Sequence, residues 1–143
     1  MKKIATKWWI IGFVVFIISL FGLQKFLQNG DPDVITSNGL HSHPQLAIYV
    51  KGEQQEIPAN IGIGAVHQPT HTHTEDADQG IIHLEFGDIV RNSDIKLGKF
   101  FEVWGKDIRS FGSNMTMTVN GETNTEYENY MMRDGDKIEL HYD

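Results

Sequence analysis

With 143 residues, 12 basic against 19 acidic side chains and a formal net charge of −7, the chain has room for one modest domain. Its surface disfavours nucleic acid and anionic lipid and gathers cations, the more so because every acidic residue lies after position 30. There is no cysteine, so disulfides, thiolate ligands and cysteine nucleophiles are excluded, and any metal must be held by nitrogen and oxygen.

The chain opens on Lys2, Lys3 and Lys7, then on an uncharged apolar run from Trp8 to Leu23 that Phe26 and Leu27 extend to about twenty residues, the span of a hydrocarbon core. The leading lysines predict a cytoplasmic N-terminus, with everything after residue 28 outside the cytoplasm. No small-residue cleavage pair follows, so the reading is an uncleaved single-pass anchor rather than a signal peptide. Trp8 and Trp9 suit the membrane interface. The expected organisation is therefore anchor over 1–28, a Gly-, Pro- and Asn-rich linker over 29–39, and an extracytoplasmic domain over 40–143.

Within that domain Gln45 to Val50 alternates, with Leu46, Ile48 and Val50 on one face, and Lys51-Gly52-Glu53 turns it back into a hairpin partner over residues 54–57. Pro58 to Gly64 reads as an irregular crossing or a short bulged strand. His67 to Gly80 reads as a polar loop. Residues 81–86 resume strand character, with Ile82, Leu84 and Phe86 opposite His83 and Glu85.

Asp94 is the expected N-cap of a helix whose Leu97, Phe100, Phe101 and Trp104 repeat at helical spacing and whose end is set by Gly105. Gly98 inside it costs about 1 kcal/mol relative to Ala, which implies close approach of a neighbour. Met115 to Val119 ends at the Asn120-Gly121 turn, and Asp134-Gly135 leads into Lys137 to Tyr142 with Ile138, Leu140 and Tyr142 inward. The order predicts an α+β fold, a single mixed sheet covered by one helix.

Six of the seven histidines fall between His41 and His83. On a strand, residues i and i+2 share a face about 7 Å apart, so His41 with His43, and His83 with Glu85, can each address one ion or two neighbouring ones. His67, His71 and His73 would close over them from the loop, with Glu85 as an oxygen ligand or as an acceptor that orients a ring. A set of imidazoles with one carboxylate suits Zn²⁺ or Cu²⁺ and fits Mg²⁺ or Ca²⁺ poorly. Cu⁺ is less favoured without cysteine, although Met115, Met117, Met131 and Met132 offer thioethers, and these read first as core or surface filler. His141 reads as a surface residue. The acidic run Glu75, Asp76 and Asp78 lacks EF-hand spacing, and His71-x-His73 before Asp78 matches a cupin motif only in part.

The ordered string Leu40-His-Ser-His, Ile57-Pro-Ala-Asn-Ile-Gly, His71-Thr-His73, Gly80-Ile-Ile-His-Leu-Glu and Leu97-Gly-Lys-Phe-Phe-Glu-Val-Trp-Gly resembles a family of small bacterial and archaeal membrane-anchored, histidine-rich exported proteins without a settled activity. The resemblance spans roughly residues 40 to 142 and implies a shared site at His41, His43, His67, His71, His73, His83 and Glu85. The C-terminal turn-and-strand pattern also resembles the end of a β-grasp domain.

Three functions fit these residues. The first is transition-metal binding, of Zn or Cu, for capture, delivery or sensing. The second is a metal-dependent enzyme in which three histidines hold Zn²⁺ with Glu85 or Glu75 as general base. The third is an interaction module beside a membrane-protein partner, with the histidines as a pH-responsive surface.

Overall fold

In the computed structural model, residues 3–28 and 30–143 are described, with side chains over 9–23 and 30–143. Two units separate by their contacts, one ending at Pro32 and the other running from Asp33 to Asp143. The first contains helix α1 (Lys3–Gln28). In chain order the second holds β1 (Val34–Thr36), β2 (Leu40–Ser42), β3 (Gln45–Val50), β4 (Glu53–Gln55), β5 (Thr70–His71), β6 (His83–Phe86), β7 (Val90–Arg91), α2 (Leu97–Trp104), β8 (Thr116–Val119), β9 (Glu122–Asn124) and β10 (Lys137–Tyr142).

The fold is mixed α/β with several sheets, which corrects the expected single sheet, β-grasp-like and preceded by a membrane-spanning helix. Five strands form the largest sheet in the order β4-β3-β10-β8-β9, three form a second in the order β2-β6-β5, and β1 pairs with β7. The split has a local cause. Pro44 separates β2 from β3, and its carbonyl accepts from Ile82 N instead of continuing one ladder. Val34–Thr36, within the expected linker, pairs with Val90 and Arg91 as a strand.

The membrane anchor is also corrected. Among the described residues no helix is long and apolar enough to cross a membrane. The side chains of Lys2, Lys3, Lys7, Trp8, Phe26 and Leu27, on which the flanks and extension of the anchor rested, lie outside the described residues. Without such a helix, the single-pass placement with its domain outside the cytoplasm loses its support.

The largest sheet forms where alternation is strongest. β3 and β10 pair in parallel over six residues, from Gln45 opposite Lys137 to Val50 opposite Tyr142. Leu46, Ile48, Ile138, Leu140, Tyr142, Met117 and Val119 are buried in one apolar cluster with Leu97, Phe100 and Phe101 of α2, with Leu84 of the second sheet and with Ile82 just before it. Full burial of each large apolar side chain contributes about 1.5–3 kcal/mol, so this shared cluster fixes how the second sheet is held.

Helix α2 begins later than its sequence signals suggest. Asp94 caps nothing in it, its Oδ2 instead accepting from Arg91 N at 2.8 Å, and the first helical amide, Leu97 N, donates to Tyr130 O. Its end is as read: Gly105 takes the left-handed conformation, φ 72°, and caps the last turn. Gly98 is the expected close approach, since a Cβ there would lie 2.9 Å from Glu128 O.

Candidate metal centre

The second sheet assembles the histidines by register. β2 pairs with β6 so that His41 lies opposite Glu85, and β5 pairs with β6 so that His71 lies opposite His83. Between these positions Leu84 and Ser42 are buried, so strand alternation sends His41, His83, Glu85 and His71 to the other face. His43 and His73 lie two residues beyond His41 and His71. The result is three adjacent segments, each carrying two potential ligands.

The expected polar loop over the His67 run is therefore partly a strand. Thr70-His71-Thr72-His73 alternates, and its threonines hold it in place. Thr72 is fully buried, its Oγ1 donates to Pro58 O at 2.8 Å and accepts from Ile61 N at 3.1 Å, and its backbone bonds to Asn60 and Ile61. The irregular segment around Pro58 thus serves as the brace of the site. With Thr72 fixed inward, His71 and His73 are fixed outward together.

Donor atoms of His71, His73, His83 and Glu85 lie within 4.8 Å of one another, and so do those of His41, His43 and Glu85. His71 Nε2 is 3.1 Å from His73 Nε2 and 4.0 Å from Glu85 Oε2, and His83 Nδ1 is 3.6 Å from Glu85 Oε1. Ligands around one tetrahedral ion at 2.0–2.2 Å stand about 3.3–3.6 Å apart. The pairs at 3.1, 3.6 and 4.0 Å are close to that spacing, and the widest separation, up to 4.8 Å, closes by side-chain rotation of about 1 Å. The cluster could hold a metal ion.

Protonation favours that use. His71 Nδ1 is 2.9 Å from Gln68 O, and a carbonyl only accepts, so Nδ1 carries the proton and Nε2 keeps its lone pair. His83 Nε2 is 2.9 Å from Asp76 Oδ2, which by the same argument leaves Nδ1 as the lone-pair nitrogen. That Nδ1 is buried and has no hydrogen-bond partner among the described residues, which leaves its lone pair free for a ligand. Burial pushes the His71 pKa below its ordinary value, with His67 and His73 adding to the effect while Gln68 and Glu85 oppose it. A neutral imidazole is the ligating form.

His67 is exposed and is absent from both donor groups, although its ring centroid lies 4.4 Å from that of His71. His141 stands apart on β10, stacked on Tyr49 at 4.8 Å. Met117 and Met132 are buried in the apolar core. Sequence reasoning missed Asp76 as the acceptor behind His83, Gln68 as the acceptor behind His71, and Thr72 as the pin between His71 and His73. The threonine–histidine alternation was the one available signal; nothing local connects Asp76 to a residue seven positions on.

No family model, no curated protein and no solved structure matches the chain.

Proposed function

We propose that this protein binds a transition metal, Zn²⁺ or Cu²⁺, through its histidine cluster, for capture, delivery or sensing. The observation that carries the reading is the convergence of His71 Nε2, His73 Nε2 and the unpartnered His83 Nδ1, with the outer nitrogens of His71 and His83 already occupied by Gln68 O and Asp76. Three imidazoles and one carboxylate are the ligand set of these ions. Four protein donors fill a tetrahedral shell, which supports holding an ion over turning over a substrate. We also propose that the ordered histidine and Ile-Pro-Ala-Asn motifs mark a family sharing this site.

In the metal-free chain His71 Nε2 can only accept, so His73 Nε2 supplies the proton of their 3.1 Å contact. An ion at His73 Nε2 would take the place of that proton, which moves to Nδ1, so the ring would bind as its other neutral tautomer. The test is elemental analysis of the purified chain with calorimetric titration of Zn²⁺ and Cu²⁺, for the parent and for a His71→Ala, His73→Ala variant. Stoichiometric binding that the variant loses is expected; equal affinity in both proteins would remove these residues as ligands.

A further inference from the structure

The two donor groups share Glu85 and stand side by side on one face of one sheet. We propose that the face holds two ions at once, with Glu85 as the bridging carboxylate, a dinuclear centre made of a buried half and an exposed half. The proposal rests on the metal-binding reading above and extends it from one ion to two.

Each half has its own imidazoles. His71, His73 and His83 form the first; His41 and His43, with Nε2 atoms 3.1 Å apart, form the second. Glu85 faces both. Its Oε1 is 3.3 Å from His41 Nε2 and 3.6 Å from His83 Nδ1, while its Oε2 is 4.0 Å from His71 Nε2, so donors from both groups lie about one ligand–ligand distance from the same carboxylate. The halves are also in direct contact, since the His43 and His83 rings meet edge to face at 4.8 Å. Two-metal sites hold their ions about 3.5–4 Å apart, a separation for which adjacent ligand sets with a common carboxylate are suited.

Charge supports two cations. Behind each half stands a further carboxylate: Asp76 bonded to His83, and Asp134, whose Oδ1 accepts from His43 N at 2.8 Å and lies 3.8 Å from His43 Nδ1. Two divalent ions bring four positive charges to a face whose imidazoles are neutral ligands. Glu85, Asp76 and Asp134 offset most of that charge in a chain of net −7.

The halves differ in access. The His71 side chain is 1% exposed and that of His83 11%, whereas that of His41 is 64% exposed. The exposed ion has three protein donors and therefore an open tetrahedral position, which lets it exchange with solution ligands. The buried ion, with four, does not need one. The geometry assigns loading and exchange to the His41–His43 half and retention to the His71–His73–His83 half.

The experiment is a Cu²⁺ titration of the full metal-free chain at about pH 7.5, where free imidazoles are neutral, read by native mass spectrometry and by electron paramagnetic resonance. The expected result is two ions per chain, with the second producing a half-field line from magnetic coupling. A His41→Ala, His43→Ala variant, altered only at exposed or half-exposed side chains, should bind one ion and show no such line, and Glu85→Gln should do the same. One ion on the parent chain overturns the dinuclear proposal and leaves the metal-binding reading standing, whereas none overturns both. Two ions without coupling, or two retained by the His41→Ala, His43→Ala variant, also overturn it.

Discussion

His71 and His83 face each other across the β5–β6 register with their rings stacked, centroids 5.5 Å apart and planes 13° from parallel. Each is tied at its outer nitrogen, to Gln68 O and to Asp76, so neither ring is free to turn. Much of the ordering cost of assembling a ligand set is thus met on folding, which is preorganisation in its ordinary sense.

Removing the acceptor behind a ligating histidine releases the ring. Asp76→Ala is expected to weaken Zn²⁺ binding at the His71–His73–His83 group by about 10–100-fold, with little change in the fold, because Asp76 is partly exposed. Competition titration against a chromophoric chelator measures this. An unaltered affinity would mean that His83 is not a ligand.

The depressed pKa of His71 ties stability to pH. Below its ordinary value of 6.5 the unfolded chain takes up a proton that the folded chain refuses. The associated stabilisation is therefore fully present above about pH 6.5 and is lost as pH falls through the lowered folded value. Urea denaturation of the metal-free chain along a pH series should show this decline, and His71→Gln should flatten part of it. A variant with the same slope as the parent would place the pH dependence elsewhere.

Gly80 sits where the second sheet meets the first. Its φ is +71°, and a Cβ there would lie 2.0 Å from Leu46 O, a clash with backbone rather than with a movable side chain. Gly80→Ala should cost more than the 1–2 kcal/mol of a left-handed alanine alone, about 3 kcal/mol or more. A shift of the denaturation midpoint smaller than 1 kcal/mol would show that this junction yields easily.

Asp136 is buried, and its carboxylate accepts from Tyr130 OH at 2.7 Å, Arg133 N at 2.9 Å and Asn120 Nδ2 at 3.0 Å. Tyr130→Phe removes one of these bonds to a carboxylate and should cost about 1.5–3 kcal/mol. Burial, with the Asp136 bond second, pushes the Tyr130 pKa up to about 12, and burial does the same for Tyr142. Stability from these phenols is complete below their ordinary pKa of about 10 and is lost as pH rises toward 12. Alkaline titration by phenolate absorbance should show two late tyrosines in the parent and one in Tyr130→Phe.

Where alternation was local and uninterrupted, the sequence foretold the element: Gln45–Val50 and Lys137–Tyr142 form with the faces their apolar residues imply. Gly105 ended α2 because a left-handed residue leaves few other continuations. The sheet count was not legible, because whether Leu40–Ser42 joins β3 or β6 depends on a partner more than forty residues away and on the break at Pro44. The strand at His71 is not legible in the sequence, since a two-residue strand has no period of its own. Parity groups His41, His43, His83 and Glu85, and clustering in the sequence adds His67, His71 and His73; that His67 stands outside both donor groups, and that the rest divide into two sets sharing one carboxylate, required the register.

The backbone bonds from Leu46 N to Gly80 O and from Ile82 N to Pro44 O stitch the ligand-bearing sheet to β3, the strand at the heart of the main core. Occupancy at the histidines is therefore not a local affair. A bound ion stabilises the whole unit by about 2.7 kcal/mol when its free concentration is a hundred times its dissociation constant. Such a shift reduces the transiently opened population on which proteases act. Were an ion held at these residues, its loss would be felt across the whole unit as a shorter lifetime rather than as a change confined to one face.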